Sequence, residues 1–228
     1  MRARATGILL WLAVASATSA ADSSSETARE EQRLARHYSD LSHDVADPAE
    51  HRRLVGLALV HAQRAAELQP DDPVTELSLA ICYGKLAERA PIRTKIEYSR
   101  FVKQHAERAL ALAPDYDYAH HVLGRWHHEV ASLSPAARWI VKLVYGGLPP
   151  ASTAQAVHHL QRAAELAPQT VSHHVELGFV LLSAGKSAAA RKSFQRATEL
   201  PAAEKHDVIA QRRAKEALAN ANVRSGGD

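Results

Sequence analysis

The chain of 228 residues contains little of what catalysis or covalent cross-linking requires. Cys82 is the one cysteine, so no intramolecular disulfide can form. The sequence lacks paired metal-binding cysteines, a His-Glu-x-x-His motif, a glycine-rich phosphate loop and a nucleophile elbow. We therefore expect no catalytic residue, no cofactor and no metal site, and we predict that the protein is not an enzyme.

The sequence also has little net charge. The formal charge of +3 falls to +1 when Arg2 and Arg4 are set aside, so no basic surface for nucleic acid is predicted. Hydrophobic residues make up 46% and aromatic residues 5%, a balance that suits close helix packing through small side chains. Fourteen histidines include four adjacent pairs, but neighbours on a helix point about 100° apart, so we interpret them as solvated or packing residues.

Residues 1–21 differ from the rest of the chain. Arg2 and Arg4 precede the apolar run 8–15, and small residues lead up to Asp22, which is the layout of a secretory signal peptide cleaved after Ala20 or Ala21. We expect export, most simply to a periplasm. The alternative is a retained segment in a membrane-anchored or cytoplasmic chain.

A short motif, Arg-Ala-x-x-Leu, occurs four times, and a proline follows each copy within two residues. The leucines Leu68, Leu112, Leu166 and Leu200 lie 44, 54 and 34 residues apart, and 34 is the period of the tetratricopeptide helix pair. Residues 22–220 are therefore predicted to form an all-α solenoid of four helix-pair repeats.

Each repeat should place small residues where its helices A and B touch. Candidate A positions are Leu34-Ala35, Leu79-Ala80, Leu123-Gly124 and Leu177-Gly178. Candidate B positions are Ala58, Ala62, Ala65, Val102, Ala106, Ala109, Ala156, Leu160, Ala163, Ala190, Phe194 and Ala197. Helix B should end before Pro70, Pro114, Pro168 and Pro201, because proline cannot continue a helix.

The unequal spacing of the repeats places the extra residues between helices A and B, either as insertions or as longer helices. The largest excess, about 134–150, predicts a short helix with Trp139, Ile140, Leu143 and Val144. That helix could fold over its own repeat as core or touch a membrane or ligand. Residues 204–219 should close the solenoid with Val208, Ile209 and Leu218 inward, and 221–228 should be a disordered tail.

The segment His121–Ser134, the motif Gly146-Gly147-Leu148-Pro149 and the run Leu160–Pro168 resemble the regulator of microtubule dynamics family, as does Thr94-Lys95-Ile96. The resemblance covers roughly residues 30–207. It implies a non-catalytic tetratricopeptide-repeat-like domain, and members are associated with microtubules, with membranes and with lipid binding.

The inner faces of the A helices should line a concave groove that is apolar at both ends and cationic in the middle. We expect that groove to bind a protein or peptide partner; a lipid-binding or lipid-transfer domain is the alternative, and microtubules enter by family analogy. The mapped residues are Val74, Leu77, Ile81, Tyr118, His121, Arg125, His128, Val175, Phe179 and Leu182.

Overall fold

Helices account for the regular structure of the described chain. The computed structural model describes the backbone of residues 6–203 and 205–225, and side chains within 23–203 and 205–220. Over that part the all-α prediction is confirmed, with ten helices and no strand. They are α1 Thr6–His43, α2 Pro48–Leu68, α3 Pro73–Glu88, α4 Ile92–Leu112, α5 Asp117–Ala131, α6 Pro135–Tyr145, α7 Thr153–Leu166, α8 Val171–Ser183, α9 Ser187–Glu199 and α10 Lys205–Ser225.

Local sequence signals set the ends of these helices. The Asp47 carboxylate accepts hydrogen bonds from the N–H groups of Ala49 and Glu50, and Asp72 accepts one from the N–H of Thr75. Such caps satisfy N–H groups that have no partner inside the first turn. Each Arg-Ala-x-x-Leu motif lies at the end of a B helix, namely α2, α4, α7 or α9, so the predicted stops before the prolines are confirmed.

Four antiparallel pairs, α1–α2, α3–α4, α5–α7 and α8–α9, stack in chain order. The alanines predicted at the helix B contacts are at most 1% exposed. At Gly124 of α5, an added Cβ would lie 2.6 Å from Leu160 Cγ of α7, and at Gly178 of α8 it would lie 2.5 Å from the Phe194 ring of α9. The small residues therefore set how closely each pair approaches.

The extra length in the repeats takes two forms. Helices α2 and α4 each have 21 residues, whereas α7 has 14 and α9 has 13. In the first two units, longer B helices thus account for the excess. In the third unit the excess is the separate helix α6, which packs along α4 of the preceding unit.

Helix α6 does not fold over its own repeat as core, which was the first of the two alternatives for it. Trp139, Ile140, Leu143 and Val144 are 50% to 67% exposed, and the buried residue of this helix is Val141. The physical reason is that α6 packs on α4 through the side of the helix that carries Val141. Its larger apolar face points away from the repeats.

Helix α10 closes the stack with a face that matches the expected one in Leu218 but not in Val208 and Ile209. Ala214 is fully buried, and Ala210, Ala217 and Leu218 pack against the core of α8 and α9, whereas Val208 and Ile209 are 58% and 40% exposed. The alanine stripe allows close approach, and this sets the rotation of the helix. The expected first residue, Glu204, lies outside the described part.

The two predicted terminal segments are described only in part. Helix α1 begins at Thr6, inside the proposed signal peptide 1–21, and the side chains of that segment lie outside the described residues. Helix α10 extends to Ser225, into the segment expected to be a tail, and 226–228 lie outside the described part. Within the described part of the chain, no helix is both long enough and apolar enough to cross a bilayer.

A bridged concave channel as the candidate functional site

Helix α10 crosses the open side of the solenoid and converts the expected groove into a channel. At its start, Lys205 forms an ion pair with Asp44 after α1, and the ring centroid of His206 lies 4.4 Å from that of His43. Two turns later, Arg213 Nη1 lies 2.8 Å from Glu176 Oε1 on α8. A cavity of about 750 Å³ remains between this strap and helices α1, α3, α5 and α8.

Six of the ten predicted groove residues line this cavity. Leu77 and Ile81 of α3 form an apolar row with Val74, and Tyr118 and His121 of α5 face them from the next unit. The sixth is Arg125. Sequence mapping therefore located the channel through the second and third repeats. Whether these residues bind a ligand stays a prediction.

The four remaining predicted residues lie elsewhere. Val175 is fully buried in the core of the last units, and Phe179 packs edge-on against Phe194 with its ring 4.8 Å from the Arg213 guanidinium. Leu182 is 38% exposed, and His128 is half-buried; neither lines the cavity. The three residues of α8 lie outside the cavity because α10 covers α8, which gives the fourth repeat a different inner surface from the second and third. His128 belongs to α5 and also lies outside the cavity.

The middle of the channel is not cationic, contrary to expectation. Arg125 Nη2 lies 3.2 Å from Glu129 Oε1, and its Nε lies 3.9 Å from Glu176 Oε2. Because Glu176 also pairs with Arg213, the two guanidinium groups share the Glu176 carboxylate. This region therefore offers both positively and negatively charged hydrogen-bonding groups, and it is not a site for an isolated anion.

Lys85 is a channel residue that the sequence mapping missed. Its Nζ donates to Ser39 O at 2.6 Å, Ser39 Oγ at 2.7 Å and Ser42 Oγ at 3.3 Å, and the residue is 9% exposed. Burial lowers the pKa of this amine to about 8. The spacing Leu77, Ile81, Lys85 puts all three on one face of α3, so this signal was present in the sequence.

Histidines from the adjacent pairs contact histidines on other helices. His120 Nδ1 lies 3.0 Å from His159 Nδ1, and the same distance separates the Nδ1 atoms of His121 and His173. Within the described residues, no group of three or more histidine, cysteine or acidic side chains is arranged to hold a metal ion. These pairs instead act as packing contacts between neighbouring helices.

Stacked helix pairs closed by a terminal helix define a tetratricopeptide-type helical repeat protein. The chain matches the family described as Regulator of microtubule dynamics protein 1-3 over residues 13–222, and it belongs to that family. The predicted family resemblance is confirmed.

Several curated relatives carry the same family name. Regulator of microtubule dynamics protein 3 of Xenopus laevis is 29% identical over 136 residues, which cover 60% of this chain and 29% of the relative. The protein 3 of Rattus norvegicus is 30% identical over 174 residues, which cover 74% of this chain and 36% of the relative. The chain thus spans about a third of the length of these relatives. The crystal structure of MamA aligns at 16% identity with a TM-score of 0.44, covering 79% of this chain and 91% of MamA.

Proposed function

We propose that the protein is a non-catalytic interaction module that holds a protein or peptide segment in the channel beneath α10. The observation that carries this proposal is the lining of the cavity: an apolar row on α3 faces paired charges on α5 and α8. An extended peptide offers both the apolar side chains and the backbone donors and acceptors that such a wall can bind. Family membership and the repeat architecture support a protein partner.

Access to the channel would depend on the start of α10. The Lys205–Asp44 ion pair is exposed, and exposed ion pairs contribute little to stability. By contrast, the later part of α10 is fixed by Ala214 in the core. The first turns of α10 would therefore lift while its C-terminal half stays in place, and a segment would enter between α10 and α1.

Site-specific photo-crosslinking in the cells that produce the full chain tests this proposal. A photoreactive side chain at Ser78, which lines the cavity, should capture a polypeptide, whereas one at Val60, which is 59% exposed and outside the cavity, should not. Substitution Tyr118→Ala should reduce capture at Ser78 about tenfold, because aromatic anchors dominate interface energies. Equal capture at Ser78 and Val60, or no effect of Tyr118→Ala, would contradict the proposal.

A lipid-binding function in the same channel is the alternative. Here the supporting observation is the row Val74, Leu77 and Ile81, followed one turn later by Lys85. The row suits an acyl chain, and the positive charge of Lys85, whose N–H groups already donate to Ser39 and Ser42, would attract an anionic head. Native mass spectrometry of the purified full chain distinguishes the two functions. Co-purified phospholipid that is lost in Lys85→Met supports lipid binding, and an apo mass that does not change with vesicles excludes it.

Regulation of microtubule dynamics, the activity that the relatives' names state, is a further candidate through family membership. Co-sedimentation of the full chain with assembled microtubules tests it directly. Binding that Tyr118→Ala weakens would place the contact in the channel, and no co-sedimentation at micromolar concentrations would count against this function.

A further inference from the structure

Helix α6 turns its large apolar side chains toward solvent. Trp139, Ile140, Leu143 and Val144 are 64%, 50%, 67% and 60% exposed, whereas Val141 is 6% exposed. At 3.6 residues per turn the four exposed residues share one face, and Val141 lies on the other side. The helix therefore packs through its smaller apolar side and leaves the larger one uncovered.

Both ends of this helix are held in place, so the exposed face is presented by an ordered element. The Ser134 hydroxyl accepts a hydrogen bond from the N–H of Ala137 at 3.2 Å. At the other end, Gly146 has φ 75°, and the Gly147 N–H donates to Val141 O at 3.0 Å. Arg100 of α4 donates to Tyr145 O at 2.5 Å and to Gly147 O at 2.6 Å, which ties the end of α6 to the solenoid.

The charges around this face have one dominant sign. No aspartate or glutamate occurs from 130 to 164. On α6 itself Lys142 lies beside the apolar face, whereas Arg138 lies on the opposite side and donates to Leu133 O and Ala131 O. Helix α4, along which α6 packs, adds four basic residues against one acidic residue, Glu97, between 92 and 103; of these, Lys103 pairs with Glu107 and Arg100 binds carbonyl oxygens at the end of α6. The basic residues of that stretch are Arg93, Lys95, Arg100 and Lys103. Cations beside an exposed apolar face are complementary to an anionic lipid surface.

We propose that α6 is a membrane-docking helix that inserts Trp139, Ile140, Leu143 and Val144 into the outer layer of a bilayer with anionic headgroups. Helix α6 has 11 residues, and its exposed apolar face is smaller than the roughly 20–30 residues a side that stable protein interfaces involve. Shallow insertion, in contrast, needs only a few aromatic and aliphatic side chains supported by cations. No residue of α6 lines the channel, so docking would leave the channel open to its own ligand.

A fluorophore at a single introduced cysteine tests the docking of α6 in the full chain. The native Cys82 is buried and its pKa is raised to about 12 by burial, so it stays unlabelled under native conditions. Val144→Cys reports on α6, and Val60→Cys is the matched control, since the two valines are 60% and 59% exposed. The probe membranes are vesicles of phosphatidylglycerol and phosphatidylcholine in equal parts, with pure phosphatidylcholine vesicles for comparison.

An environment-sensitive fluorophore at position 144 should brighten severalfold and shift to the blue with the anionic vesicles, and less with the neutral ones. The fluorophore at position 60 should not change. The fluorophore at position 144 reports on α6 itself. A local signal is needed because the apolar N-terminal segment can also bring the chain to vesicles. The double substitution Trp139→Gln with Leu143→Gln should weaken this signal at position 144 at least tenfold, since two large side chains would no longer leave water.

Three outcomes would overturn the proposal. The signal at position 144 could stay constant while the chain sediments with vesicles, which would place the contact elsewhere. It could change with protein concentration in the absence of vesicles, which would make α6 a self-association surface. It could respond to an added protein extract and not to vesicles, which would make α6 a protein interface.

Discussion

The Nδ1 atoms of His121 on α5 and His173 on α8 lie 3.0 Å apart in a contact that requires one of the two rings to donate and the other to accept. His173 Nε2 lies 2.9 Å from the Asp117 carboxylate and donates to it, so neutral His173 accepts at Nδ1. The Nδ1–H of His121 is then the donor. Protonation of both rings would place two N–H groups against each other.

Acid should destabilise the fold through buried histidines of this kind. Burial lowers the pKa of His121 and His173, and it lowers the pKa of His43 and of His159 to about 4. The unfolded chain takes up these protons near the ordinary pKa of 6.5, so it binds more protons than the folded chain below that pH. The free energy of unfolding should therefore fall as the pH drops from about 6.5 toward 4. Urea titrations across that range measure the fall.

His159 and its chain neighbour His158 offer a matched test of this pH dependence. Between neutral pH and pH 5, the free energy of unfolding should fall less in His159→Gln than in the wild type. The difference should be on the order of 1 kcal/mol, after allowance for the solvent that reaches the half-buried ring. His158 is exposed, and its charge is one of the smaller causes of the lowered pKa of His159, so His158→Gln should change the pH dependence less than His159→Gln. The same slope in the wild type and both variants would contradict the assignment to His159.

Gly124 and Gly56 should respond in opposite directions to alanine. A Cβ at Gly124 would lie 2.6 Å from Leu160 Cγ and 3.2 Å from the Leu160 backbone nitrogen, so Gly124→Ala should force α5 and α7 apart and cost about 1–3 kcal/mol. At Gly56 of α2 no atom lies within 4 Å, and Gly56→Ala should stabilise the helix by up to about 1 kcal/mol. Thermal unfolding compares the variants. A Gly124→Ala chain as stable as Gly56→Ala would show that these helices can shift without cost.

Removal of α10 should cause aggregation. A chain that ends at Leu200 exposes the surroundings of Val180, Leu181 and Phe194, because Ala214 completes their core cluster. A chain that ends at Asn220 keeps the inward residues of α10 and should stay monomeric. Light scattering after size-exclusion chromatography separates the two results. A soluble monomer with an unchanged Tm for the shorter chain would refute the closing role of α10.

Processing of the N-terminus tests the predicted export. If residues 1–21 act as a signal peptide, the intact mass of the chain from its native cells should correspond to a start at Ala21 or Asp22. An unprocessed start at Met1 in the recovered chain would favour the membrane-anchored or cytoplasmic alternative.

Local sequence determined the helices and their order in this protein. The Arg-Ala-x-x-Leu copies predicted the ends of the B helices, and the alanines at spacings of three and four predicted the contacts of helices A and B. These features depend on residues within one or two turns of each other, where the geometry of a helix is fixed. For the same reason the channel residues Leu77, Ile81 and Tyr118 could be mapped from the sequence of the repeat in which each one lies.

Contacts between distant segments decided the rest. The alanine stripe of α10 packs on α8 and α9, which rotates Val208 outward and separates Phe179 from the channel. Glu176 meets Arg213 from a helix that comes much later in the chain, so the charge balance around Arg125 could not be read from one repeat. The exposed face of α6 has the same origin. An apolar stripe shows that a helix has something to bury, but only the position of its neighbours decides which side they cover.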